Sequence, residues 1–278
     1  MFANILRADA YRFVRSRFLH VTVVVFLAVI GLFSLFASGD DQTSFAFGGP
    51  TGQTKDGIAL VDGFMGFTYA DPAHPRFWEL VTTATCFTAV TLFAVAITGM
   101  VVITADDANG ITKVAVAQGQ SQTMLFLSKV VLSVLVTAVL WALHNALTLA
   151  ITLRVTGASM TTDQLWRWAG HCGLLCLQLV VLMLTVAVVA LVSRSRVVAL
   201  AVLFALVMGA IVLGAVLQSH PSRLGDLLLG ANPMWHINRF SRSWAEEQII
   251  GHAWTMVVVG TVLTLGAGVA FLRRRELG

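Results

Sequence analysis

The chain has 278 residues, of which 57% are hydrophobic and only 12% charged, and its mean hydropathy is +0.83. Soluble domains carry about 25% charged and about 45–50% apolar residues, so a water-soluble core is excluded and the composition specifies a polytopic membrane protein. The net charge of +4 comes without a basic patch interleaved with exposed aromatics, so membrane lipid is an expected partner and nucleic acid is not.

Residues 2–17 are too polar to span a bilayer. At helical spacing Phe2, Ile5, Leu6, Ala10, Phe13 and Val14 fall on one side, with Asn4, Arg7, Tyr11, Arg12 and Arg15 on the other. That is the pattern of an amphipathic interfacial helix with arginines toward anionic headgroups, although Asp9 and Arg17 interrupt its apolar arc. The same arginines also read as flanking charge that orients the first span. The apolar run that follows continues to Ala37 without a small-residue cleavage site, which marks a retained helix and not a removed leader.

A crossing helix needs about 20 mostly apolar residues. Six segments qualify, at about 18–37, 80–105, 124–153, 168–192, 197–217 and 253–272. The third exceeds one crossing, and Lys129 near its start implies that its first turns project from the membrane. The expected fold class is an all-α membrane protein, one transmembrane domain over residues 1–278, with six transmembrane helices preceded by the interfacial helix at 2–17. Arg7, Arg12, Arg15, Arg17, Lys113, Lys129, Arg194, Arg196 and Arg273–Arg275 would share the face of the two termini. Lys55, Arg76, Arg154, Arg167, Arg223, Arg239 and Arg242 are spread over longer loops of the other face. This asymmetry predicts cytoplasmic termini, and Trp78, Trp166, Trp168, Trp235, Trp244 and Trp254, at expected outer ends, agree with it.

The outer loop at 38–79 is rich in Gly, Ser, Thr and Asp. The outer loop at 218–252 contains "RLGDLLLGANPMWHINRF", a segment that either dips into the outer leaflet under protein cover or lies flat on the interface. Between spans two and three, "ITADDANGITKVAVAQGQSQTMLFLSK" (103–129) is punctuated as a short helix of its own. Asp107 or Asn109 can cap it, Ile111, Val114 and Ala115 repeat on one side, Gly119 suits the left-handed stop, and Ser121 suits the cap of the third span.

Here the chain resembles the membrane subunits of ABC-2 type transporters, in which an acidic residue, Gly-Thr, a short helix, a Gly and a Ser precede the third span. Asp106, Gly110, Thr112, Gly119 and Ser121 can be laid on that pattern; Asp106 replaces the usual Glu, Ile111 intervenes between Gly110 and Thr112, and Gln122 stands where Arg is common. The basic amphipathic start, the long first and last outer loops and the terminal "FLRRRELG" extend the resemblance over the whole chain. It implies a bacterial plasma-membrane permease that exports a hydrophobic or amphipathic solute such as a peptide, drug or lipid. The loop at about 106–122 would be a cytoplasmic coupling helix, its Asp106, Asp107, Gly110, Ile111, Thr112, Lys113, Val114, Ala115 and Gly119 meeting a separate cytoplasmic ABC ATPase. The chain has no Gly-rich Lys-Ser/Thr phosphate loop, so it is itself no enzyme and binds no cofactor; ATP and magnesium belong on the partner. A second permease, identical or homologous, would complete the path. Ala201, Ala205 and Gly209 offer a small-residue packing surface to that partner or to a helix of the same chain.

Within the membrane, His144 and Asn145 interrupt span three and either line the transport path or form an interhelical hydrogen bond. His171, Cys172 and Cys176 in span four carry metal-ligand chemistry but also fit ordinary buried packing. Two alternatives follow: an intramembrane metal- or haem-linked enzyme using these residues, or a proton-coupled secondary carrier. The sequence is expected to bury no carboxylates and has no internal repeat, which speaks against the carrier.

Overall fold

A computed structural model describes residues 2–37, 74, 76–85, 88–108, 111–220, 222–242 and 247–277, with short strands between 44 and 68. The described chain is helical. In order it forms α1 (Phe2–Val14), α2 (Arg17–Ala37), two small antiparallel strand pairs, then α3 (Phe77–Ala84), α4 (Thr88–Ala108), α5 (Ile111–Ala117), α6 (Gln122–Thr156), α7 (Thr162–Ser193), α8 (Arg196–Ser219), α9 (Arg223–Gly230), α10 (Pro233–Arg242) and α11 (Glu247–Leu277). The strands β1 (Ser44–Ala46) and β4 (Gly66–Thr68) pair, as do β2 (Gly52–Gln53) and β3 (Ala59–Leu60).

Six helical segments are long and apolar enough to cross a membrane: Arg17–Leu35, Phe77–Asp106, Gln122–Thr156, Thr162–Ser193, Arg196–Gly214 and Ile250–Arg274. Their number and placement make this a multi-pass membrane protein. With six crossings α1, α5 and the end of α11 share one side, called here the terminal side.

Helix α7 is the central post, with 72% of its most apolar window buried, against α4, α11, α8, α10 and α6. Bilayer tails are as apolar as leucine, so close approach and van der Waals contact hold membrane helices together. Glycines provide that approach here. A methyl group added at Gly99 would overlap the side chain of Met183 on α7, and one at Gly260 would overlap Val181. Met183 is fully buried, and its sulfur accepts from Thr137 of α6 at 3.5 Å, so it has little room to yield. Gly99→Ala is therefore expected to lower the thermal midpoint in detergent, through overpacking that costs about 1–3 kcal/mol. Gly266→Ala, whose added methyl meets nothing within 4 Å, is expected to hold or raise it, since alanine is the better helix former. Equal midpoints for the two variants would contradict the tight α4–α7 crossing.

Span two stands as one crossing segment, Phe77–Asp106, but not as one helix. The expected single helix at 80–105 is two helices, α3 and α4, divided at Thr85. Threonines crowd this region, and their hydroxyls bind backbone carbonyls one turn back in competition with helix geometry. Thr82 donates to Trp78 O at 2.9 Å, Thr83 to Glu79 O at 2.7 Å and Thr85 to Val81 O at 3.1 Å. The carbonyl of Ala84, released by the break, accepts from Thr148 of α6 at 2.6 Å. A broken helix is tolerated at membrane depth when neighbours satisfy its backbone in this way.

Within 218–252 the described residues fold back along the bundle. Helices α9 and α10 form a hairpin against α7, α8 and α11. Its tip is Asn232–Pro233. Asn232 Nδ2 donates to Leu206 O at 2.8 Å, and its Oδ1 accepts from Met234 N at 2.9 Å. Pro233, whose missing N–H costs nothing at a helix start, opens α10. Leu206 stands ten residues into α8, about 15 Å along its axis, so the tip reaches the middle of that span. Met234, Ile237 and Phe240 are buried, and Phe240 stacks on His171 of α7 with centroids 4.6 Å apart.

Candidate functional site

The densest polar constellation lies on the terminal side, where α1, the end of α4 and the start of α6 meet. Ile5 and Asp9 of α1 are buried, and Phe2, Leu6 and Phe13 on the same face are partly so; α1 lies against α6. Asp9 thus points into protein, which explains the interruption of the apolar arc. Its carboxylate accepts from Ser128 Oγ at 2.7 Å and pairs with Arg12 at 2.6 Å and with Lys129 Nζ at 3.6 Å. Lys129 Nζ also donates to Asp106 at 2.6 Å, and Arg12 reaches Asp106 at 3.3 Å. Among the described residues, two carboxylates and two cations from three elements pair with one another. Side-chain exposures are 4% for Asp9, 8% for Lys129 and 13% for Asp106, against 44% for Arg12. Lys129 and Asp106 are thus both held against protein.

Next to this network sits α5. It ends in a Schellman turn: Gly119 has φ 83°, Gln120 N donates to Ala115 O at 3.0 Å and Gly119 N to Val116 O at 2.9 Å. The stop assigned to Gly119 is present, and Ser121 stands at the N-cap of α6 with extended backbone. The apolar residues of α5 differ in exposure. Ile111 is 37% and Val114 59% exposed, and Lys113 is exposed too. Thr112 and Ala115 are partly covered and, together with Ile111, line a cavity of about 380 Å³ beside Asn4, Ile5, Ala8 and Arg12 of α1. Of the three apolar residues Val114 is turned furthest outward, while Ile111 and Ala115 both border the cavity. The side chain of Asp107 and the whole of Asn109 and Gly110 lie outside the described residues.

His144 and Asn145 are 0% and 1% exposed. His144 stacks on Trp141 (centroids 5.9 Å) and meets Phe26 of α2 edge-on (6.3 Å). Asn145 Nδ2 donates to Trp141 O at 2.8 Å, and its Oδ1 accepts from Cys172 Sγ at 3.4 Å; Trp141 Nε1 donates to Cys172 O at 2.8 Å. These groups knit α6 to α7 and present no open surface in this arrangement. Among the described residues no three of His, Cys, Asp and Glu are grouped to hold a metal ion, so His171, Cys172 and Cys176 lack a donor set there. The small-residue row on α8 divides: Ala201 and Ala205 are exposed, while Gly209 faces Asn232 of the hairpin.

The expectation of no buried carboxylates also fails. Asp9 is buried, and Glu79 is 0% exposed, accepting from Arg76 N at 2.7 Å. They stand at opposite ends of the bundle, Asp9 on the terminal side and Glu79 in the first turn of α3. Hydropathy missed them because Glu79 sits at the margin of span two and Asp9 in α1, outside every span. The chain matches no protein-family model, and no curated protein is significantly similar to it.

Proposed function

We propose that the chain is the permease subunit of an ATP-driven exporter of the ABC-2 type, docked through α5 on a separate cytoplasmic ATPase and working beside a second permease. The observation that carries this reading is α5 itself. It is a terminated helix between two crossings, with Lys113 and Val114 turned outward, and Asp106 near the end of the preceding α4 pairs with Arg12 of α1 and Lys129 of α6. A force applied at α5 would reach three elements at once. Hydrophobic or amphipathic solutes fit a bundle with so little polar surface, and exposed Ala201 and Ala205 suit close approach of a second copy.

The test is purification from native bacterial plasma membranes. A stoichiometric partner carrying a Gly-rich Lys-Ser/Thr phosphate loop, and export that requires ATP in reconstituted vesicles, are expected. The buried carboxylates keep a proton-coupled carrier as the second reading. Glu79 lies at a span end and Asp9 in α1 outside the spans, whereas carriers bind coupling ions near the midplane. Transport driven by a proton gradient with no ATPase present would decide for the carrier.

Orientation has its own measurement. With cytoplasmic termini, Cys introduced at Asp163, whose side chain is 72% exposed, labels with an impermeant maleimide in intact cells. Cys at exposed Lys113 labels only after the membrane is opened. The reverse pattern inverts the topology.

A further inference from the structure

The ion network encloses a cavity of its own. Next to the 380 Å³ cavity beside α5, a second of about 210 Å³ is lined by Asp9, Arg12, Asp106 and Lys129 together. Phe13, Phe18, Val101, Val102 and Leu132 give it apolar walls. Arg12 and Ile111 border both cavities and are 44% and 37% exposed, so the smaller one is reachable from the terminal side. Drug-sized ligands take about 300–1,000 Å³. The occupant here is smaller.

The charged groups lining it have hydrogen bonds still to make. A lysine ammonium carries three donors. Among the described residues Lys129 Nζ makes one hydrogen bond, to Asp106 Oδ2 at 2.6 Å, and lies 3.6 Å from Asp9, although its side chain is only 8% exposed. Asp106 Oδ1 accepts there only from Arg12 Nη1, at 3.4 Å, well beyond the about 2.7–2.9 Å of a tight charge-assisted bond. Buried donors and acceptors seldom stay unsatisfied. An occupant that meets both offers an acceptor to Lys129 and a donor to the neighbouring Asp106. If it carried a single charge, that charge would enter a largely buried setting without a counterpart; an occupant with both signs adds no net charge. Water serves the polar end but leaves the hydrocarbon walls wet, so the remaining requirement is an apolar body.

We infer that this cavity binds a small zwitterion with an apolar body, a free amino acid of the leucine or phenylalanine kind, with its carboxylate on Lys129 and its ammonium on Asp106. The site is independent of the transport reading: it requires neither an ATPase nor a second permease.

The experiment titrates the purified whole chain in nanodiscs with L-leucine and L-phenylalanine by calorimetry. Leucine is compared with glycine, which lacks the body, isoamylamine, which lacks the carboxylate, isocaproate, which lacks the ammonium, and isocaproamide, which is uncharged. Saturable binding of leucine or phenylalanine is expected, with every analogue weaker than leucine by about tenfold or more, since each forfeits a charged hydrogen bond or the apolar contact. This comparison needs no variant. Val101→Phe, which narrows the cavity from a partly covered wall, is expected to weaken leucine about tenfold. Val90→Phe, exposed near the other end of α4, should leave it unchanged. Asp106→Asn removes the ammonium's partner and keeps Lys129 and Arg12, so isocaproate should then bind more tightly than leucine. That gain cannot come from misfolding, so it locates the site even if Val101→Phe does not fold. Absence of saturable binding of both amino acids would mean a water-filled cavity only and overturn the site. Leucine binding that survives both Val101→Phe and Asp106→Asn would lie elsewhere and overturn it too. Isoamylamine, isocaproate or isocaproamide as tight as leucine on the wild type would overturn the zwitterion, and glycine as tight would overturn the apolar walls.

Discussion

Lys129→Met is expected to be the most destabilising single substitution in the terminal-side network. Lys129 Nζ stands 2.6 Å from Asp106 and 3.6 Å from Asp9, so its removal leaves two carboxylates facing each other with only Arg12 to neutralise both. Removing one partner of a buried ion pair costs about 3–5 kcal/mol, because the surviving charge keeps its desolvation penalty and loses its compensation. Lys129 and Asp9 are both nearly fully buried, which places the change near that range. Arg12→Gln should cost much less, since its side chain is 44% exposed and water screens what it leaves behind. The measurement is the thermal midpoint of each variant in the same detergent. A double replacement, Lys129→Met with Asp106→Asn, removes one charge of each sign. It is expected to recover part of the loss, the non-additivity that residues in one network show. A Lys129→Met midpoint within error of wild type would mean the pairs contribute nothing to stability. Partial loss of transport in Arg12→Gln with an unchanged midpoint would tie the network to coupling and not to folding alone.

What was legible in the sequence divides along one line, the distance over which the deciding interaction acts. Each of the six crossings follows from local hydropathy, and α2, α6, α7, α8 and α11 each contain one expected span. Local chemistry also marks Gly119, whose left-handed turn only glycine adopts freely, and the Asn232–Pro233 break. The Thr-rich division of span two was present in the residues but hidden by a hydropathy window, which averages across Thr82, Thr83, Thr85 and Thr88 as if they were neutral filler. The ion network was invisible for a different reason. Ser128 and Asp9 are 119 positions apart, and each charge alone satisfied a simpler rule: Asp9 as an imperfection, Lys129 as flanking charge. The same holds for α5, where periodicity grouped Ala115 with Val114, and only the packing of α1 decided which side of the helix remained outside.

That division makes Val114→Glu the sharpest test of the docking assignment. Val114 is 59% exposed on the outward side of α5, so the free chain should accept a carboxylate there at little cost, within the roughly ±0.5 kcal/mol usual for surface changes. If the ATPase covers this side, the same carboxylate is buried without a partner. An uncompensated charge in a closed interface costs about 3–5 kcal/mol, which at about 1.4 kcal/mol per decade lowers affinity by roughly two to three orders of magnitude. Ala115→Glu supplies the contrast. Ala115 faces the cavity beside Ile5 and Arg12 of α1, so its carboxylate would enter that cavity next to Asp106 and register in the thermal midpoint. Binding and folding are thereby separated by two adjacent residues. The expected outcome is an unchanged midpoint with lost ATPase recovery for Val114→Glu, and a lowered midpoint for Ala115→Glu. Full recovery of the ATPase by Val114→Glu, with export intact at equal membrane abundance, would remove α5 from the docking interface.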